Sequence, residues 1–289
     1  MKQRIITGAI VLVVLIPVLI FSWTPLLPAV IAACSVVAIF EMMRCIGLQK
    51  SIVLGAPLYA LAGTLPFITR FLAHGSLFAH GEPPASAKHL AQYGCILMIA
   101  ILLYFFTVMT FSRGKYKLND VCVLFATAFY ILMGFNSIVI MHDNETGGRI
   151  VFLAIFIGAW ITDVFAYFCG VLFGRGGKHK LIPDVSPKKT VEGSIGGTIF
   201  CVIVMVLFGV VCHHFTEYSA NLLIFGIGGL LAAIVAQIGD LLMSYIKRTY
   251  GIKDFGSLFP GHGGVLDRFD SILAVAIAMV SFSSFFDFF

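Results

Sequence analysis

Apolar stretches separated by short polar links run the length of this chain, at roughly 5–22, 26–43, 52–72, 95–111, 121–141, 151–173, 194–215, 221–246 and 270–287. Each is close to the ~20 residues that a helix needs to cross a ~30 Å hydrocarbon core. The composition agrees with that reading. Hydrophobic residues make up 60% of the chain and charged residues 11%, and the mean hydropathy is +1.01, outside the range of a soluble globular domain. The expected fold is therefore an all-α polytopic integral membrane protein with about nine transmembrane helices. It reads as a single membrane domain over 1–289, in which 1–150 are scaffold helices and 151–289 carry the catalytic helices and loops.

The formal net charge of +5 raises the question of nucleic acid, and the distribution of that charge answers it. With the N-terminus on the cytoplasmic side, only Arg70, Lys88 and Arg149 of the 19 Lys and Arg residues fall on the opposite side. This is the bias expected of cytoplasmic loops. It sets the N-terminus inside and the C-terminus on the other side, and it leaves no basic, aromatic-interleaved surface for a nucleic acid.

Several polar groups have ordinary explanations. The seven cysteines show no CxxC spacing and read as small packing residues, without a zinc site or disulfide framework. Ile31-Ala32-Ala33-Cys34 superficially resembles a lipoprotein cleavage box, but it is preceded by hydrophobic chain broken at Pro25 and Pro28 and followed by more, so a cleaved signal is rejected. Glu41 and Arg44, three residues apart near the inner end of the second span, are expected to form a local ion pair. His74, His80, Glu82 and His89 lie in one outward connector, and His142, Asp143 and Glu145 in another. Their irregular spacing favours solvated loops over metal sites.

From residue 160 onward the polar groups are harder to dismiss. Asp163 lies mid-span, where an aspartate costs about 2.5–3.5 kcal/mol on insertion scales. With Trp160, Tyr167, Gly170 and Gly174 it forms a stripe at helical spacing that is expected to face the bundle interior. A functional role is favoured over a protonated, hydrogen-bonded aspartate. The inward loop that follows contains Lys178 and Lys180 and the run Ser186-Pro187-Lys188-Lys189-Thr190, ahead of Glu192 and a glycine-rich helix start. It lacks the Walker A spacing. It is either a phosphate-binding loop or an ordinary positive-inside loop.

Gln237, Asp240, Ser244 and Lys247 share one helix face, with Asp240 about 10 Å deeper than Lys247. A polar stripe descending from the surface suits a water-filled cleft at the membrane face. Beyond it, Pro260-Gly261-His262-Gly263-Gly264 lets backbone approach a ligand. Asp267, Arg268 and Asp270 then open the last helix. The two carboxylates offer the oxygen ligands Mg²⁺ prefers, and the helix dipole alone accounts for one of them.

The run Ser244-x-x-Lys247-Arg248-x4-Lys253-Asp254-x-Gly256-x3-Pro260-Gly261-His262-Gly263-Gly264-x-x-Asp267-Arg268-x-Asp270 resembles the signature of phosphatidate cytidylyltransferases, the CDP-diacylglycerol synthases. The QIGDL and SPKKTVEG segments and the Trp160–Tyr167 stripe are also similar to that family, whereas 1–150 resemble it only in hydropathy. The resemblance implies that CTP and phosphatidate give CDP-diacylglycerol and pyrophosphate in phospholipid biosynthesis, with Mg²⁺ required and a second cation an open alternative. It also implies a site at the cytoplasmic face of the membrane, the plasma membrane if the source is bacterial, and it admits a homodimer. The leading metal ligands are then Asp240 and Asp267, with Asp163 and Asp270 as helpers. Lys247 and Arg268 join the two leading aspartates in catalysis. Ser186, Lys188, Lys189, Ser244, Arg248, His262, Gly263 and Gly264 are the candidates for binding substrate.

Two other readings compete. A cytidylyltransferase or kinase acting on another lipid phosphate or a polyprenol is the nearer one. An ion-coupled transporter is more distant, because the strong polar motifs all lie in the second half and face inward, without the repeat symmetry of transporters. A CDP-alcohol phosphotransferase is disfavoured by the absence of its DGxxAR signature.

Overall fold

A computed structural model describes residues 13, 16–74, 90–144, 147–174, 179–261 and 263–289. Most of the first expected span, the His80–His89 part of the outward connector, Glu145, Lys178 and His262 lie outside the described residues. After a helical segment at 16–20 the elements are α1 (Leu26–Ile46), α2 (Ile52–His74), α3 (Leu90–Phe111), α4 (Leu118–His142), the single turn α5 (Gly148–Val151) and α6 (Leu153–Phe173). A small hairpin of β1 (Lys180–Ile182) and β2 (Ser186–Thr190) comes next, then α7 (Val191–Phe215), α8 (Leu222–Thr249) and α9 (Leu266–Ser283).

Among the described residues, six helices are long and apolar enough to cross a membrane: α1, α2, α4, α5 with α6, α7 and α8. The apolar part of α3, Ile96–Phe111, is shorter, and α9 carries Asp267, Arg268 and Asp270 in its opening turn. The protein is thus an all-α membrane protein, with one local exception. The SPKKT run, expected as loop, is the second strand of an antiparallel hairpin that pairs Lys180 with Thr190 and Ile182 with Ser186.

The chain divides into two compact units, one of 1–140 with 254–267, the other of 141–253 with 268–289. In the first, α1 ends in a left-handed Gly47 (φ 83°), with Leu48 N–H donating to the Met43 carbonyl at 2.7 Å, a Schellman stop. Buried Ile39, Met42, Leu54, Leu58, Leu124, Ile131 and Phe135 form its core. Arg70, assigned to the outer side, is itself buried and donates to the carbonyls of Thr24 and Ser22.

In the second unit, α6, α7 and α8 pack against one another. α7 is apolar nearly all round, so residue size decides which of its faces turns inward. On α7, Ile195, Ile199, Ile203, Leu207 and Val211 are exposed, while Gly193, Gly197, Cys201, Met205 and Gly209 are buried. A Cβ on Gly197 would stand 2.7 Å from the Thr162 carbonyl, and one on Gly158 would stand 2.8 Å from the Ala232 Cβ. Small residues let membrane helices approach this closely and gain packing that large ones forfeit.

The same rule corrects the expectation for α6. Trp160 and Tyr167 are 48% and 68% exposed, and the inward face is Gly158, Ala159, Thr162 and Cys169. Trp160, Asp163 and Tyr167 are all exposed, because the close α6–α7 contact is made where Gly197 meets Thr162 and Ala166. A second correction concerns the outward loop after α4. His142 and Asp143 are only 2% and 7% exposed, and His142 Nδ1 lies 2.7 Å from Asp143 Oδ1. The pair is built into the protein, so this part of the loop is no solvated connector.

Candidate active site

The polar face of α8 has the inward orientation that its spacing demands. Gln237 and Lys247 are buried, and Asp240 and Ser244 are half-buried between them. Gln237 is held from every side: Nε2 donates to Thr198 Oγ1 and to the Ala233 carbonyl, both at 3.1 Å, and Oε1 accepts from the Ser194 hydroxyl. This matches the rule that buried polar groups find partners. One turn further along, Ser244 Oγ donates to Asp240 Oδ1 at 3.3 Å.

Asp240 meets the hairpin. Lys189 Nζ lies 2.5 Å from Asp240 Oδ2. The strand is irregular rather than strictly alternating, with Lys189 and the adjacent buried Thr190 both turned toward the helices while Lys188 is not. Lys189 and Ser186 are half-buried, whereas Lys188 is exposed. The strand is anchored at its end by Thr190, which caps α7 by accepting from Gly193 N–H at 3.1 Å. Its side chain also packs on α6, since a Cβ on Gly174 would meet Thr190 Cγ2 at 3.2 Å. The hairpin base is also tied by His179 Nδ1 and Glu192 Oε1, 2.5 Å apart.

Two further aspartates surround this pair. Asp163 of α6 accepts from the Ser271 hydroxyl at 3.0 Å. Asp163 and Asp270 both interact electrostatically with Asp240. Asp163 also senses Lys189 and Arg268, and Asp270 senses Lys247. Carboxylates from α6, α8 and α9 therefore alternate with cations from β2, α8 and α9 in one polar region. Arg268 and Arg248 are exposed, and Arg248 donates to the Ile252 carbonyl at 3.2 Å. Among the described residues, no three His, Cys, Asp or Glu side chains converge in a group able to hold a metal by themselves.

The glycine-rich loop belongs to the first unit, and its geometry is set by two carboxylates. Asp267 Oδ2 accepts from Phe255 N–H at 2.8 Å, Gly264 N–H at 2.9 Å and Gly256 N–H at 3.4 Å. Glu41 of α1 accepts from Val265 N–H at 3.1 Å and Leu266 N–H at 2.8 Å, while Arg44 Nη2 donates to the Phe255 carbonyl at 2.5 Å. Glu41 and Arg44 thus turn toward the loop, a role their i, i+3 spacing did not reveal. Gly263 has φ +87°, and a Cβ there would stand 2.7 Å from Asp267 Oδ2, so the turn requires glycine. At Gly256 and Gly264 the space for a Cβ is filled by the Glu41 carboxylate.

Apolar helices of membrane-spanning length, with aspartates and lysines gathered in one polar region of the second unit, define a polytopic membrane protein with a charged site. The family model for the cytidylyltransferase family matches residues 2–286. A phosphatidate cytidylyltransferase from Bacillus subtilis (strain 168) is 33% identical over 275 residues, covering 95% of this chain and 94% of the relative. One from Staphylococcus haemolyticus (strain JCSC1435) is 29% identical, covering 95% and 96%. One from Staphylococcus aureus (strain COL) is also 29% identical with the same coverage. The chain belongs to the cytidylyltransferase family.

Proposed function

We propose that this protein transfers the cytidylyl group of CTP to phosphatidate, releasing pyrophosphate and forming CDP-diacylglycerol. A phosphate oxygen of phosphatidate attacks the α-phosphorus of CTP, a new P–O–P linkage forms, and the α–β bond breaks with pyrophosphate taking the electron pair. A phosphate monoester is largely dianionic at neutral pH because its second pKa is about 6. No side chain is needed to remove a proton, and the chain's task is positioning and charge neutralisation.

The observation that carries this reading is the Lys189–Asp240 pairing in a chain of this family. A hairpin lysine held against a helix carboxylate is placed to exchange that partner for a phosphate oxygen. Lys247, buried about two turns along α8 from Asp240, supplies a second cation on the same stripe, and the exposed Lys188, Arg248 and Arg268 suit an incoming nucleotide. Ser186 and Ser244 offer hydroxyl donors.

The donor chemistry around Asp240 fits Mg²⁺, which takes hard oxygen ligands and typically one or two carboxylates with waters and substrate phosphates completing its shell. Asp240 would hold the ion with waters and substrate phosphates, and Asp163 and Asp270 would assist through their charge. The assignment of Asp267 as a ligand rests on the family resemblance alone. Bound there, Mg²⁺ would neutralise charge on the phosphates.

The proposed topology has about nine spans, with the N-terminus and the catalytic loops on the cytoplasmic side, supported by the segregation of Lys and Arg. One copy of the chain suffices for this reading, and a homodimer is compatible with it. The test is purified protein in detergent with CTP, Mg²⁺ and, in parallel, phosphatidate or a polyprenyl phosphate. Pyrophosphate release with phosphatidate supports the assignment. Release only with the polyprenyl phosphate, or none with either, rejects it.

A further inference from the structure

Glu41 lies 224 residues before Val265 in the chain and is only 3% exposed. A carboxylate buried so deeply in a membrane protein is costly unless its oxygens are satisfied. Here both are: Oε1 accepts from Val265 N–H and Oε2 from Leu266 N–H. These amides open α9, where N–H groups lack partners within the helix and the dipole favours negative charge. The contact is therefore a helix cap delivered from the other end of the sequence. The loop is shaped to receive it, because side chains at Gly256 and Gly264 would occupy the place of the Glu41 carboxylate. Arg44, one turn along, secures the Phe255 carbonyl at the other end of the same loop.

We propose that Glu41, seconded by Arg44, is the positioning residue of the 255–266 loop. It caps the first residue of α9 and sets the stance of the Asp267 carboxylate that binds the loop from within. Asp267 and Glu41 together hold five backbone N–H groups between Phe255 and the first residue of α9. With Glu41 removed, three of the five remain, and the opening of α9 loses its cap. Glu41 touches no substrate in this scheme and acts through the loop.

The test uses the full-length protein in detergent with Glu41→Gln and, separately, Gly264→Ala. An amide at 41 keeps the volume but turns one acceptor into a donor facing backbone N–H. A methyl at 264 meets the intact carboxylate directly. Hydrogen exchange is followed by peptide, and cytidylyl transfer is measured as kcat and KM for CTP. Charge-assisted hydrogen bonds of this kind contribute ~1.5–3 kcal/mol, so exchange in the 255–266 segment should rise about tenfold or more. Segments of α7 and α8 should stay unchanged. In both variants kcat should fall about tenfold or more while KM for CTP moves little, the signature of misplaced groups rather than lost binding, and Glu41→Asp should restore part of the loss.

The kinetic arm rests on the cytidylyl-transfer reading and the exchange arm does not. A parent protein inactive with CTP and phosphatidate would defeat that reading and leave the exchange arm to decide on Glu41. Wild-type exchange at 255–266 in both variants, or a uniform rise throughout the chain in both, overturns the proposal. If Glu41→Gln does not fold, Gly264→Ala alone decides in the same way.

Discussion

Lys189 Nζ stands 2.5 Å from Asp240 Oδ2, joining the β hairpin to the polar face of α8. Each group is the other's counter-charge, and in the proposed reaction the two act as one unit. Lys189→Met and Asp240→Asn should each lower turnover by about 10²-fold or more, as removal of a single charge-stabilising donor does in other active sites. The double variant should be little worse than the worse single one, since effects within one unit do not add. Multiplicative losses in a kinetic double-mutant cycle would show that the residues work independently.

Gln237 shares that face but has a structural task. Its side chain meets Ser194, Thr198 and the Ala233 carbonyl inside the second unit. Gln237→Leu leaves the Thr198 and Ser194 hydroxyls without it and should cost about 1–3 kcal/mol. A lowered melting temperature in detergent, with the KM for CTP unchanged, is the expected result. A variant as stable as the parent would show that the network contributes nothing.

Helix packing yields a prediction that hydropathy alone reverses. Gly197→Leu adds apolar surface, yet the side chain would be driven into the Thr162 carbonyl, and the Ala166 Cβ stands 3.1 Å from a Cβ at that position. Ile199→Ala removes apolar surface from a residue 52% exposed. The first should prevent recovery of folded protein or lower its melting temperature sharply, since overpacking costs about 1–3 kcal/mol or more. The second should be near neutral, within about 0.5 kcal/mol. The comparison is made by fluorescence-detected size exclusion after heating.

Metal dependence is a prediction of the proposed Mg²⁺ site at Asp240. Chelation of divalent cations should abolish turnover and Mg²⁺ should restore it, with a lowered apparent Mg²⁺ affinity in Asp163→Asn. Wild-type Mg²⁺ dependence in Asp163→Asn would remove that residue from the ion's surroundings.

Part of this site was legible because helical periodicity survives in a membrane. Gln237, Asp240, Ser244 and Lys247 recur at i, i+3, i+7 and i+10, and all four turn inward. Lys189 could be singled out as a phosphate candidate, but its separation from Lys188 depends on the irregular course of a short hairpin, which residue identity does not show. The Trp160–Tyr167 stripe misled because polarity and aromaticity were taken to mark the inner face. Between apolar helices, the size of Gly158, Thr162 and Gly197 decides it. Glu41 was hidden by a different cause. Its i, i+3 spacing from Arg44 is that of any surface ion pair, and its true partners are backbone amides, which leave no trace in residue identity. The glycines of the 260–264 run suggest room for a ligand, but at Gly264 that room belongs to Glu41.

The central claim is transfer of the cytidylyl group itself, and position-specific labelling tests it most directly. Purified protein is incubated with phosphatidate, Mg²⁺ and CTP labelled at either the α- or the γ-phosphate, and the lipid is extracted. The account predicts label in the lipid from α-labelled CTP and label in released pyrophosphate from γ-labelled CTP. Lipid labelled from the γ-phosphate would identify a kinase, and unlabelled lipid in both cases would contradict transfer to phosphatidate altogether.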